Sequence, residues 1–204
     1  MSGAPDARLF AAVELPQELA WSLAGWAREV AGGLGSGRGA PGLRLLEPAS
    51  LHLTLCFLGN RPADQIDGLL ASLEQACERA PELSLSLGAP VWLPPRRPRA
   101  LAVEIQDATG ALQDLQAAVQ PALSDEAAVR RFRPHVTVAR ARAGLDRPSG
   151  ALPPTPQASF RALRVALVRS WLEPLGARYE SQGSVALKPR DGWAQRSGDG
   201  FPAA

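Results

Sequence analysis

Apolar and polar residues follow one another along this chain in two rhythms, and the switches between them lay out its elements. The short run Arg8 to Glu14 (RLFAAVE) is apolar enough for a strand and gives way to Leu15-Pro16. Pro16 stands where a first helical turn tolerates proline. Leu19, Leu23, Trp26 and Val30 then recur at helical spacing, which predicts an amphipathic helix of about four turns with both Trp21 and Trp26 in the core. The run Ala31 to Gly42 (AGGLGSGRGAPG) reads as a flexible linker, because it lacks the Lys-Ser/Thr ending of a phosphate loop and no strand leads into it. Leu51 to Leu58 (LHLTLCFL) predicts a strand closed by Gly59. Pro62 opens a second helix that carries Ile66, Leu69, Leu70, Leu73 and Cys77 on one face, and Pro81 stops it.

Leu83, Leu85 and Leu87 alternate with serines, the pattern of a half-buried strand. The proline-arginine loop Pro94 to Arg99 (PPRRPR) leads to another strand, Ala100 to Ile105. A third helix is predicted near Ala111 to Gln120, interrupted by Pro121. Strands follow at Pro134 to Arg140 (PHVTVAR), in one long run from Phe160 to Ser170, and at Arg178 to Leu187. The order does not alternate strictly between strand and helix, so a doubly wound parallel sheet does not fit. An α+β fold with two mostly antiparallel sheets and flanking helices does. Each half supplies one histidine strand, which suggests two lobes facing each other across a central cleft. Residues 1–190 are read as this single bilobed domain, and residues 191–204, polar and glycine-bearing, as a poorly ordered tail.

Composition narrows the class. Hydrophobic residues make up 46% and charged residues 21%, the balance of a soluble globular chain. No apolar run approaches the roughly 20 residues that span a bilayer. Met1 to Arg8 lacks the basic and apolar regions of a signal peptide, so a cytoplasmic location is expected. Cys56 and Cys77 are the only cysteines and lack CxxC spacing, which points to neither a disulfide framework nor a zinc site. The net charge of +2 is too small to establish nucleic-acid binding. Lys188 is the sole lysine among the basic residues. Arginine suits phosphate, but a codon bias explains the same fact equally well.

Histidine is more telling, because the chain has only two. The segments read His52-Leu53-Thr54-Leu55 and His135-Val136-Thr137-Val138, both His-x-Thr-x with apolar residues at x. On a strand, residues i and i+2 share a face, so each His and Thr project together while the apolar pair turns inward. With positions treated as independent, chance gives two such motifs on the order of once in 10⁵. A lone strand histidine is ordinarily a satisfied structural residue; a matched pair is not. No third His or Cys stands near either motif, so a metal site is not indicated. Two imidazoles and two hydroxyls instead suit phosphoryl chemistry. One neutral ring takes a proton from water, one protonated ring gives a proton to the leaving oxygen, and the threonines donate to non-bridging phosphate oxygens.

The duplicated motif resembles the signature of the 2H phosphoesterases. Within them the chain is similar to the RNA 2′,3′-cyclic phosphodiesterases, also called 2′-5′ RNA ligases, over roughly Arg8 to Leu187. The resemblance includes Arg8-Leu9-Phe10 with Leu15-Pro16, the segment Leu51 to Leu55 with Phe57-Leu58-Gly59, Phe132 to Arg140, and Ser170, Gly176 and Tyr179. It implies a bilobed fold, opening of a cyclic phosphate to a 2′-phosphomonoester with a free 3′-hydroxyl, and reversible 2′-5′ ligation. By motif order it makes His52 the proton donor and His135 the acceptor. Where the family often has an aromatic-bearing strand, this chain has Arg99-Ala100-Leu101-Ala102-Val103-Glu104.

Thr54 and Thr137 complete the expected catalytic set. Arg131, Phe132, Arg133 and Arg140 flank the second motif and are the candidate substrate contacts, the arginines for phosphate and Phe132 for a base. Plain alternation turns Phe57 toward the core and puts Cys56 on the His52 face. An arginine at 131 or 140 would depress His135, leaving His52 to keep its proton. We expect no cofactor and no metal, a monomer, and RNA ending in a 2′,3′-cyclic phosphate as partner. Two other readings stay open: a 2H enzyme acting on 2′-5′ oligoadenylates or small nucleotide cyclic phosphates, and a nucleotide- or RNA-binding module without turnover.

Overall fold

A computed structural model describes residues 5–34, 42–124, 131–142, 150–173 and 176–189. The strands are β1 (Asp6–Glu14), β2 (Leu43–Leu45), β3 (His52–Pro62), β4 (Leu83–Leu93), β5 (Ala100–Gln106), β6 (His135–Ala141), β7 (Ser159–Ala162), β8 (Arg164–Glu173) and β9 (Gly176–Ala186). The helices are α1 (Gln17–Leu34), α2 (Ile66–Cys77) and α3 (Ala111–Leu123). The expected tail from Asp191 lies outside the described residues.

The strands pair antiparallel in the order β7-β4-β5-β6-β3-β1-β8-β9, with β2 added on β6. The two expected sheets are thus the two halves of one hydrogen-bonded surface, four strands on either side of a seam between β6 and β3. That seam is a single residue pair, Leu53 with Val136, each the first apolar position of its motif and each fully buried. Antiparallel register then sets His52 across from Thr137, and Thr54 across from His135. Each half repeats one plan: an inner strand (β1 or β5), a helix (α1 or α3), then the histidine strand antiparallel to the inner one. The helices are exchanged between halves. α1 packs on β2 and β6, whereas α3 packs on β3 and against α2, which in turn covers β8 and β9.

The long run from Phe160 is two strands rather than one. Leu163 is exposed between them; β7 pairs with β4 at one end of the order, and β8 pairs with β1 near the other. Leu163 alone separates the two strands in the chain, so the sheet has to curl until its far edges approach. Backbone bonds from Glu82 to Lys188 and from Lys188 to Ala80 tie the same two edges together.

Leu19, Leu23, Trp26 and Val30 of α1 are buried as their spacing predicts, and the Trp26 indole N–H donates to the Pro154 carbonyl at 2.9 Å. Trp21 is 55% exposed, contrary to expectation, because it lies two residues, about 200°, from both Leu19 and Leu23. α1 runs on through Gly32 and Gly33, so the first residues of the expected linker are helical; residues 35–41 of it lie outside the described residues. Pro121 does not end α3 either. It sits exposed in the last turn, and Leu123 beyond it is buried.

Candidate active site

Both histidine strands break their alternation at the same place. Between β1 and β3, Ala12 pairs with Thr54 but Ala11 pairs with Cys56, so Leu55 is an extra residue. Between β5 and β6, Ala102 pairs with Thr137 but Leu101 pairs with Ala139, so Val138 is extra. These are β-bulges, which re-aim the side chains that follow them. Leu55 and Cys56 are both buried, as are Val138 and Ala139. The next residues, Phe57 and Arg140, therefore come back to the face that carries the histidines. Phe57 is 65% exposed rather than in the core. Cys56 is buried rather than lining the cleft, and burial pushes its thiol up to about 11.

The two imidazoles are held alike. Nδ1 of His52 lies 2.8 Å from the carbonyl oxygen of Ser50, and Nδ1 of His135 lies 2.7 Å from that of Arg133. In both cases the partner sits two residues upstream. A carbonyl only accepts, so each Nδ1 carries a proton and donates it. In the neutral ring Nε2 is then the bare atom, free to take or deliver a proton. Ser50 closes a 3₁₀ turn (Pro48–Ser50) that ends one residue before β3, which is why its carbonyl stands under the ring.

Their surroundings differ. Phe10 lies 4.7 Å from His52 between ring centroids, Tyr179 meets it edge-on at 5.1 Å, and Phe10 and Tyr179 are 5.5 Å apart. Among the described residues no aromatic ring packs on His135. Burial in this cage drives His52 down to about 4, with further lowering from Arg140 and His135, against a raising contribution from the Ser50 carbonyl. The expectation that His52 more easily keeps its proton is not met in the free protein, and the charge of Arg140 reaches it across the seam.

A cavity of about 600 Å³ brings together His52, Thr54, Phe57, His135, Thr137 and Arg140, with Arg8, Arg44, Phe10, Ser170 and Tyr179 among its other walls. Among the described residues no carboxylate lines it. A second cavity of about 520 Å³ shares only His52 and Tyr179 with the first; its described lining includes Glu14, Glu47 and Trp21 and no Lys or Arg. The larger cleft is thus suited to an anion, and two protonation sites face it. Among the described residues no group of three or more His, Cys, Asp or Glu is placed to hold a metal ion.

Of the four predicted substrate contacts, only Arg140 lines this cleft. The Arg133 guanidinium pairs with Glu104 at 2.6 Å, Arg131 is exposed outside the cavity, and Phe132 packs half-buried against the core. All three precede the first residue of β6, so the strand face that carries His135 does not extend to them. Arg8, Phe10, Phe57, Ser170 and Tyr179 were not among the predicted contacts, although each belongs to the segments that carry the family resemblance. Arg44 had no such signal.

Paired imidazoles and hydroxyls around a basic cleft are the kind of site a phosphoesterase presents. The model of the 2′-5′ RNA ligase superfamily matches residues 22–172, and the chain belongs to that superfamily. It is 30% identical over 207 residues to the RNA 2′,3′-cyclic phosphodiesterase of Thermus thermophilus, an alignment spanning 95% of this chain and 96% of that protein. A solved Thermus thermophilus structure is 28% identical, with a TM-score of 0.68 over 89% of this chain and 98% of its own. The Escherichia coli LigT complex with 3′-AMP shares the fold, with a TM-score of 0.73 at 23% identity over 90% of this chain and 99% of that one. The expectation of a phosphodiesterase enzyme of this family is met. No described helix is long and apolar enough to cross a membrane.

Proposed function

We propose that this chain opens RNA 2′,3′-cyclic phosphate ends to a 2′-phosphomonoester and a free 3′-hydroxyl, without a metal ion. The observation that carries this reading is the matched pair of histidines, each with Nδ1 fixed by a carbonyl, on one basic cleft whose described lining holds no carboxylate. The name of the Thermus relative supports the choice of ester.

The cyclic phosphate anion sits among Arg140, Arg44 and Arg8, and the Thr54 and Thr137 hydroxyls donate to its non-bridging oxygens. His135 takes a proton from water as the water oxygen bonds to phosphorus. The bond from phosphorus to the 3′-oxygen breaks, and that oxygen receives a proton from His52. In the empty cleft His52 is neutral at pH 7, because burial and Arg140 hold its pKa at about 4. The substrate anion neutralises Arg140 and adds negative charge beside the ring, so His52 takes up its proton as the substrate binds. A 5′-hydroxyl in place of water gives a 2′-5′ linkage by the same proton transfers. Phe57, exposed on the cleft wall, offers the terminal base a stacking surface.

The test is to incubate the purified protein with excess chelator and an oligonucleotide ending in 2′,3′-cyclic phosphate, then identify the product isomer. A 2′-phosphate formed at undiminished rate is expected. A 3′-phosphate, or turnover restored only by a divalent metal, rules the reading out.

A further inference from the structure

We propose that Arg96, Arg97 and Arg99, on the turn between β4 and β5, grip the backbone phosphates of the RNA strand upstream of its cyclic end; this rests on the RNA reading above. The placement comes from strand register. β6 starts in the cleft at His135 and carries Arg140 on the cleft wall. Arg140 is flanked by Ala100 on one side and Arg44 on the other. One residue further, the Ala141 N–H donates to the Arg99 carbonyl at 2.9 Å. The turn thus adjoins the point where β6 leaves the cleft, and Arg142 stands there too, about 7 Å along the strand from Arg140. A cationic track runs from the phosphate site outward over the turn.

The side chains on that track are available. Arg96, Arg97, Arg99 and Arg142 are exposed. Among the described residues none of the four has an ion-pair partner, whereas Arg133, Arg161, Arg164 and Arg178 each meet a glutamate. The turn is also stiff. Pro94, Pro95 and Pro98 fix three of its six φ angles, Pro98 is buried, and the Arg99 N–H donates to the Leu93 carbonyl at 2.8 Å. Arginines carried on such a turn lose less freedom on binding a polyanion than they would on a mobile loop. Three guanidinium groups within four residues, in a chain of net charge +2, concentrate positive charge where a strand leaving the cleft would pass. A single-stranded phosphate backbone is the kind of polyanion such a concentration of positive charge binds without regard to base sequence. A cyclic mononucleotide has no upstream phosphate to lay on the turn.

The experiment compares a cyclic mononucleotide with an eight-nucleotide RNA ending in 2′,3′-cyclic phosphate, using the wild type and Arg96→Ala/Arg97→Ala/Arg99→Ala. In the wild type the longer substrate should have the lower KM. The triple variant should lose that advantage while its kinetics on the mononucleotide stay as in the wild type. Three lost phosphate contacts should make the slope of log affinity against log salt shallower by roughly 2 for the oligonucleotide. The matching lysine variant should keep most of that slope. A fluorescent oligonucleotide with an ordinary 3′-hydroxyl reads the track by anisotropy even if no substrate turns over, so inactivity would count against the cyclic phosphodiesterase reading alone. An unchanged length preference and salt slope in the triple variant overturns the proposal. So does an equal loss on both substrates, or a variant that loses binding to anionic lipid vesicles and not to RNA.

Discussion

β3 and β6 are built alike and finished differently. Both run His-x-Thr-x, both bulge after the threonine, and both bury the next residue before returning one side chain to the cleft. In β3 that side chain is Phe57, and in β6 it is Arg140. The histidines diverge in the same way, with His52 caged by Phe10 and Tyr179 and His135 free of described aromatic neighbours. A strictly symmetric pair would titrate as equals and leave no reason for one ring to give a proton while the other takes one. The shared frame sets the geometry, and the residues around it supply the asymmetry that the proposed acid–base chemistry needs.

The most severe break in the comparison is removal of either imidazole. His52→Ala and His135→Ala should each lower turnover by roughly 10²-fold or more, as loss of a general acid or base does. A substrate with an activated leaving group at the 3′ position then tells the two apart. It should restore much of the rate to His52→Ala and little to His135→Ala; the opposite result would exchange their roles.

Arg140 and Phe57 come next, because they hold equivalent positions with unlike chemistry. Arg140→Ala should cost about 10- to 100-fold in kcat/KM on every cyclic phosphate tested, since a charge-assisted bond is worth roughly 1.5–3 kcal/mol. Phe57→Ala should raise KM about tenfold, consistent with roughly 1–3 kcal/mol for stacking one base, and leave an abasic cyclic phosphate unaffected. If both variants lose equally on the abasic substrate, the division of labour is wrong. Thr54→Ala and Thr137→Ala should each cost less than either histidine, about tenfold, for one hydrogen bond to phosphate.

The last effect is on pH. The pH profile of kcat/KM reports the free protein and should carry a limb at about 4, where His52 titrates, rather than at 6.5. Stability should follow. Above pH 6.5 His52 is neutral in both folded and unfolded chains, and its contribution is complete. Between 6.5 and about 4 the unfolded chain takes the proton and the folded one resists, so up to about 3 kcal/mol is lost as pH falls. Denaturant unfolding at about pH 7 and about pH 4.5 should show a smaller drop for His52→Gln than for the wild type.

The facing motifs were legible because a period of two put His and Thr together at both sites. Their bulges were not. Leu55 and Val138 are aliphatic and continue the alternation without a break, so Cys56 and Phe57 were assigned to each other's faces and Arg140 had no parity argument for entering the cleft. A bulge is set by the partner strand, here Ala11-Ala12 and Leu101-Ala102, and pairing is invisible in either segment alone. The split at Leu163 escaped for a related reason, since both of its strands are apolar and only their partners lie in different halves. Helix ends were misjudged where tertiary contacts outweighed local preference: burial of Leu123 carries α3 past Pro121.

The exchanged helices also bear on how the chain emerges from the ribosome. α1 is complete by residue 34, but its seat includes β6, which is not finished until residue 141. β1 likewise finds β3 early and waits for β8, more than 150 residues after its own start, to cover its other edge. A nascent chain of half length therefore holds an apolar helix without its full floor and an inner strand with one edge open. Such a fragment is a target for chaperones and for pairing with a neighbouring chain rather than a stable half-domain. The fold closes only when the C-terminal hairpin arrives, bringing Ser170 and Tyr179 to complete the cleft wall around histidines already placed on β3 and β6.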